Sequence, residues 1–135
     1  MDFLVNRCRS YIYSTAISPT VVAATLASID LMPSLNEQRL RLQTIGGRLR
    51  SELKQQGWQI PNGSSPIVPI IVGASERALA ISQQLLRNGL FVPAIRPPTV
   101  PVGLARLRIS LSAAHSDEQL SQLCRALQAL VDAPQ

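Results

Sequence analysis

The chain has 135 residues, of which 46% are hydrophobic and 16% charged, a composition typical of one globular domain and not of a disordered segment. The net charge is +5, and twelve of the thirteen basic residues are arginine. Aromatic residues make up only 4%, which argues against a nucleic-acid binder that stacks bases on aromatic rings, whereas the charge favours an acidic partner.

The amino-terminal third is predicted to be helical. Residues Met1 to Arg9 indicate a short helix, and Ser10 to Ser18 a turn region. Pro19 suits the first position of a second helix, with Ser18 as its N-cap. Because Val21 to Met32 is apolar and rich in alanine, we expect this second helix to be buried on most sides, and the proline that follows to end it.

A long basic helix comes next. Ser34 and Glu37 have capping-box spacing, and Gly57 marks the end. The apolar stripe consists of Leu35, Leu42, Ile45, Leu49 and Leu53. The basic residues off this stripe, which we expect to form a solvated face, are Arg39, Arg41, Arg48, Arg50 and Lys54. The Gly46-Gly47 pair lowers helix stability and is expected to permit close packing.

Three strands and two further helices complete the chain. The strands are predicted at Ile67 to Val72, Leu90 to Ile95 and Leu107 to Leu111; Pro69 and Pro93 mark the first two as edge strands or bulged. A helix capped by Ser75 runs to Arg87, where Asn88-Gly89 closes it, and Ser116 with Gln119 forms a capping box for the last helix.

This order of elements predicts an α/β fold, more specifically an α+β sandwich. It has a small three-stranded sheet with helices on one face. We expect a single domain over 1–135, with leading helices at 1–33 and the small domain at 34–135. The second face of the sheet is then open to solvent or covered by protein outside this chain.

One stretch concentrates the candidate binding residues. Pro97, Pro98 and Pro101 predict a stiff, polyproline-like connector with Arg96 at its entrance. From Arg106 to Ser112, polar and apolar residues alternate, so the arginines and serines share one face of a strand. Arginine binds carboxylates and phosphates in a bidentate manner, so an anion site and a solvated strand are both open interpretations.

The sequence offers no evident catalytic group. The only histidine, His115, precedes a capping serine, and a role in the loop or cap is expected. Lys54 lies on an arginine-rich surface and is a poor Schiff-base candidate. Cys8 and Cys124 lack metal-site spacing and are expected to be idle thiols. With neither a signal-peptide core nor a membrane span of ~18 apolar residues, a cytoplasmic protein is expected.

The motifs nevertheless resemble a known family. Similar segments extend along essentially the whole chain and include Phe3-Leu4-Val5-Asn6-Arg7, Tyr13-Ser14-Thr15-Ala16, Arg96-Pro97-Pro98-Thr99-Val100-Pro101, Ala105-Arg106-Leu107-Arg108 and Ser112-Ala113-Ala114-His115. They are similar to the carboxy-terminal part of the α-oxoamine synthases, which are pyridoxal-phosphate enzymes of the fold-type I aminotransferase architecture. This resemblance implies that the three-stranded sheet is largely antiparallel, like that of the small carboxy-terminal domain in that architecture. The proline-rich run looks like the branch that makes 8-amino-7-oxononanoate.

This resemblance implies a function and roles for four residues. The reaction is a decarboxylating condensation of L-alanine with a pimeloyl thioester, of CoA or of acyl carrier protein, in biotin synthesis, carried out by a homodimer with pyridoxal phosphate. Arg108 corresponds to the arginine that holds the amino-acid carboxylate. Arg96 corresponds to a loop arginine near the acyl substrate, at its distal carboxylate. Thr15, with Ser14 beside it, corresponds to the residue that reaches the cofactor phosphate of the neighbouring subunit. Arg106 is left as structural.

One departure from the family is large. The Schiff-base lysine, the aspartate at the pyridine nitrogen and the stacking histidine lie upstream of these motifs in the family and have no counterpart here. The resemblance therefore implies a carboxy-terminal domain that is inactive alone and associates with a polypeptide carrying the large domain. The alternatives are a stand-alone module for an anionic metabolite or an acidic protein, such as an acyl carrier on the basic helix face, and a basic nucleic-acid binder.

Overall fold

The computed structural model describes residues 2–13 and 16–131. The chain divides into two compact units, residues 1–36 and 37–135, and each is described by itself. The organisation of 1–135 as one domain stays a prediction. Within the described ranges, no helix is both long enough and apolar enough to cross a membrane.

The regular secondary structure of the amino-terminal unit is helical throughout its described residues. It contains helix α1 (Asp2–Arg7), helix α2 (Arg9–Ile12), helix α3 (Pro19–Leu31) and a 3-10 turn over Met32–Leu35. The predicted turn region from Ser10 to Ser18 is therefore shorter in the structure, because α2 extends to Ile12. Ser18 is the N-cap of α3 and proline occupies its first turn, as expected, although the serine side chain makes no capping hydrogen bond.

The predicted burial of α3 is wrong in this structure. None of its residues is buried, and Val21 and Leu26 are 54% and 56% exposed. The unit consists of short helices without a sheet, so it provides no layer against which an apolar helix could pack on most sides.

The carboxy-terminal unit contains the sheet. Its elements are helix α4 (Asn36–Gln55), which starts at the last residue of the first unit, strand β1 (Ile67–Gly73), helix α5 (Ser75–Arg87), strand β2 (Ala94–Ile95), strand β3 (Ala105–Ser110) and helix α6 (Asp117–Val131). The strand order is β1-β3-β2, and both pairings are antiparallel. This confirms the predicted fold class.

The helices cover one face of the sheet. In β3, Ala105, Leu107 and Ile109 are buried, whereas Arg108 and Ser110 are exposed. The buried side chains of β3 and β1 join those of the helices in one core, which includes Leu49, Leu53, Trp58, Val68, Ile70, Ile81, Leu85, Val92, Leu123, Cys124 and Leu127. The outer face of β3 is therefore the face that carries arginine.

The two strand prolines are accommodated as edge-strand geometry requires. The N–H of Arg108 donates to the carbonyl of Pro93 in the β2 direction at 3.0 Å, so the opposite pairing of Arg108 with Pro69 lacks direct ladder bonds. Pro69 can therefore lie in β1, its missing N–H directed away from β3. Pro93 has no N–H to return the bond from Arg108, and this explains why β2 covers only two of the six residues predicted.

Arg50 is the main exception to the predicted solvated face of α4. Its side chain is 7% exposed, and its guanidinium donates to the carbonyls of Gly46 at 3.2 Å, of Ile67 at 3.0 Å and of Ser65. The guanidinium thus holds the chain leading into β1 against α4. Gly46 leaves it room, since an added Cβ would lie 3.3 Å from Nη1 of Arg50, which confirms the expected close packing.

The helix caps were predicted with mixed success. The Ser116–Gln119 capping box is present, with both reciprocal bonds at 2.9 and 3.2 Å. Ser34 instead donates to the Leu31 carbonyl at 2.8 Å, within the 3-10 turn that replaces the predicted helix start. Ala74, and not Ser75, is the N-cap of α5. Gly57 follows α4 with φ of 92°, a conformation that glycine adopts without strain.

Candidate functional site

Arg108 and Arg106 lie on the outer face of the middle strand, as the alternation predicted. Arg106 pairs with Ile71 on β1 and with Ile95 on β2. Arg108 is exposed and stands between two prolines of the neighbouring segments. Among the described residues, none accepts a hydrogen bond from the Arg108 guanidinium, which therefore remains available to an incoming anion.

The proline-rich connector is not polyproline-like. The N–H of Thr99 donates to the Arg96 carbonyl at 3.0 Å, and that of Leu104 to the Pro101 carbonyl at 3.1 Å, so two tight turns follow one another. The Pro97–Pro98 peptide bond inside the first turn is cis, and Gly103 has φ of 80° in the second. Proline and glycine are favoured in such turns, and the sequence pattern did not distinguish the turns from an extended connector.

A cavity of about 450 Å³ lies beside Arg108. Its walls come from the segment before β2, from the end of β3 and from the first turns of α6. The polar lining includes Arg108, His115, Gln119 and Gln122, and the apolar lining includes Leu90, Val92, Leu111 and Leu123. Arg96 is exposed and Arg106 half-buried, and neither lines this cavity, so Arg108 shares the cavity with His115 and not with the other two arginines.

The loop between β3 and α6 forms one side of the cavity. The N–H of Ser112 donates to Nδ1 of His115 at 3.0 Å, and the N–H of His115 donates to the Ser112 carbonyl at 3.1 Å. These bonds close a compact turn and confirm the expected loop role of His115. From α4, Arg41 donates to the carbonyls of Ala113 at 3.2 Å and His115 at 2.9 Å.

Sequence reasoning missed this use of the basic face of α4. Like Arg41 and the buried Arg50, Arg48 binds another part of the chain: it forms an ion pair with Asp117 at 2.5 Å. The hydrogen bond from the Arg48 guanidinium holds the pKa of the Asp117 carboxyl below its usual range. The partners of Arg41 and Arg48 follow 69 to 74 positions later in the sequence. The periodicity of α4 therefore contains no signal for these contacts.

The described residues do not complete a pyridoxal-phosphate site. Lys54 is the only lysine of the chain; its Nζ donates to Asn62 at 2.8 Å, and it does not line the cavity. Ser14 and Thr15, the predicted phosphate contacts, lie outside the described residues. Of the two thiols, Cys124 is buried, and burial raises its pKa to about 12, which leaves it almost entirely as the unreactive thiol at neutral pH.

Comparison with known proteins identifies the family. The family of class I and II aminotransferases matches residues 1–127. A Bordetella pertussis protein, provisionally named as an 8-amino-7-oxononanoate synthase, is 50% identical over 128 residues, which are 95% of this chain and 32% of the relative.

Solved structures agree with that assignment. The serine palmitoyltransferase of Sphingomonas wittichii superposes with a TM-score of 0.85 at 33% identity, over 95% of this chain and 33% of that one. The 8-amino-7-oxononanoate synthase of Francisella tularensis gives a TM-score of 0.82 at 26% identity, over 96% of this chain and 38% of that one. The chain therefore spans about a third of the length of these proteins, and it belongs to the aminotransferase class I and II family.

Proposed function

We propose that this chain is the carboxy-terminal part of a pyridoxal-phosphate-dependent 8-amino-7-oxononanoate synthase. The reaction joins L-alanine to the acyl group of a pimeloyl thioester, of CoA or of acyl carrier protein, and releases carbon dioxide and the free thiol. The product serves biotin synthesis in the cytoplasm. The names of a relative at 50% identity and of a structural neighbour support this choice.

The observation that carries the proposal is the placement of Arg108. It is exposed on the outer face of β3 and lines a cavity large enough for a small metabolite. A guanidinium on a strand paired on both sides is a rigid, bidentate partner for a carboxylate. We therefore assign Arg108 to the carboxylate of L-alanine.

The other two arginines have different settings. Arg96 is exposed at the start of the first turn, outside the cavity, which suits a contact with the distal carboxylate of the longer acyl substrate. Arg106 donates through Nε to the Leu104 carbonyl at 3.1 Å and so supports the second turn, which agrees with a structural role.

When bound, pyridoxal phosphate supplies the electron sink that decarboxylation of the amino acid requires. The lysine that holds it would come from a polypeptide with the large domain, and Ser14 and Thr15 would reach the phosphate of the neighbouring subunit in a dimer. The chain alone is then inactive: adding pyridoxal phosphate should give no stable imine absorbance band. A band that disappears with Lys54→Met would contradict this.

The decisive experiment supplies the missing part. The chain is co-expressed with the preceding two thirds of the Bordetella pertussis relative, and L-alanine-dependent release of thiol from pimeloyl-CoA is measured. Arg108→Met should raise the KM for L-alanine about 100-fold, since it removes two charge-assisted hydrogen bonds of roughly 1.5 kcal/mol each. Arg125→Met, which removes an exposed pair with Glu118 on α6, is the matched control. Activity with L-serine and palmitoyl-CoA instead would reject the proposed substrates.

The alternative of a stand-alone acidic-protein or carrier-binding module receives less support. Its basic surface would consist of Arg39, Arg41, Arg48 and Arg50, and the last three of these bind groups of this chain itself. Charge reversal there should therefore disturb the fold more than the binding of an acyl carrier.

A further inference from the structure

His115 is a second polar group of the Arg108 cavity with one nitrogen unused. Nδ1 accepts the Ser112 N–H, so in the neutral imidazole the ring proton resides on Nε2. Among the described residues, none forms a hydrogen bond with Nε2. A half-buried ring that lines the cavity thus has an N–H donor to offer.

The loop around the ring is fixed from several directions. Arg41 reaches from α4 to two of its carbonyls, and Ser112 Oγ accepts the Ala114 N–H at 3.3 Å. The capping box of α6 begins at the next residue, Ser116. Because these bonds join groups of the chain itself, they hold the imidazole in position, and little ordering remains to oppose binding.

A carboxylate can use both groups at once. Its two oxygens have about four lone-pair positions, of which a bidentate guanidinium occupies two. A neutral N–H donor can then take a third position without the electrostatic repulsion that a second cation would exert on Arg108.

We propose that Nε2–H of His115 is a second hydrogen-bond donor for the carboxylate bound by Arg108, and that Arg41 is the residue that positions it. This inference rests on the proposed function, which assigns the amino-acid carboxylate to Arg108. The ligand class is a small α-amino carboxylate.

The test uses the 135-residue chain, whose single histidine gives one set of imidazole signals. Long-range proton–nitrogen spectra at about pH 8, where an ordinary histidine is neutral, should show Nδ1 unprotonated and Nε2 protonated. Titration with L-alanine should shift the Nε2 signal until it saturates. In Arg41→Met the ring should lose its single tautomer, and in Arg41→Lys it should recover in part. A ring protonated on Nδ1 would overturn the proposal.

Two variants of His115 separate its two nitrogens. The amide of His115→Asn can still accept the Ser112 N–H but offers no donor at the Nε2 position, so L-alanine affinity should fall about tenfold, as for one hydrogen bond to a charged group. In His115→Gln, the longer side chain places its amide at the Nε2 position, so the affinity for L-alanine should fall less than in His115→Asn.

The outcomes distinguish this inference from the proposed function. If Arg108→Met abolishes L-alanine binding while His115→Asn binds as tightly as the unchanged chain, the role of His115 is wrong and that of Arg108 stands. If L-alanine binding is absent, or persists unchanged in Arg108→Met, the carboxylate site itself is wrong.

Discussion

Arg50→Met tests how a buried guanidinium stabilises the carboxy-terminal unit. Methionine replaces the aliphatic stem of the arginine side chain but not its guanidinium, so it cannot donate to the carbonyls of Ser65 and Ile67. The substitution therefore removes the two contacts that connect α4 to the chain entering β1 and leaves the hydrophobic packing largely intact.

The magnitude follows from these contacts. Hydrogen bonds to a charged group contribute about 1.5 kcal/mol or more each, so two give about 3 kcal/mol. Part of this loss in stability is offset, because the methionine variant no longer buries the charge of Arg50 or its Nε, a buried donor without a partner. We expect a net loss of about 2 kcal/mol, which lowers Tm by roughly 8–16 °C in a domain of about 100 residues.

The assay is reversible unfolding in guanidinium chloride, together with a thermal melt, of three variants. Arg50→Lys should lower the free energy of unfolding less than Arg50→Met does, since an ammonium keeps the charge and reaches one carbonyl. Arg125→Met is the control; its exposed 2.9 Å pair with Glu118 contributes at most about 0.5 kcal/mol. Equal losses in Arg50→Met and Arg125→Met would refute the reasoning.

Three further predictions concern neighbouring groups. Gly47→Ala should raise the free energy of unfolding by about 1 kcal/mol, since nothing lies within 4 Å of the added Cβ. Gly46→Ala should raise it less, because the added Cβ crowds the buried Arg50. An equal rise in the two variants would contradict this. The depressed pKa of Asp117 means that its ion pair stabilises the fold above about pH 4 and that this contribution is lost at lower pH. Arg48→Met should therefore flatten the acid limb of a stability–pH curve measured in guanidinium chloride. Cys124, buried and with its pKa raised to about 12, should resist iodoacetamide in the native chain and react in denaturant, as mass spectrometry can show; rapid native labelling would argue against its burial.

Much of the fold could be predicted because it depends on local patterns. The alternation in β3 placed Arg108 on the outer face, and the capping box at Ser116 located the start of α6. The pattern is a weaker guide where a proline or a serine allows several local conformations. The segment after Arg96 forms two turns and not an extended connector, and Ser34 lies in a 3-10 turn and not at a helix cap.

The composition of the site was harder to predict. Arg108 was found from its strand pattern and its resemblance to a family motif, both of which are contained in neighbouring residues. His115 was assigned to a loop, which is correct, but its place in the cavity with Arg108 depends on how α6 packs beside β3.

The sequence by itself determined the order of the elements, including the three strands, and the face of β3 on which arginine lies, because each depends on periodicity within a few residues. Only the tertiary structure decided which arginines of α4 remain in solvent. Apart from the bond of Arg50 to Gly46, the partners of Arg41, Arg48 and Arg50 are 15 to 74 residues away. A long cationic side chain satisfies its donors wherever the fold brings carbonyls or a carboxylate within reach. The same packing places His115 in the lining of the cavity that Arg108 also lines, and the proposed function depends on this cavity.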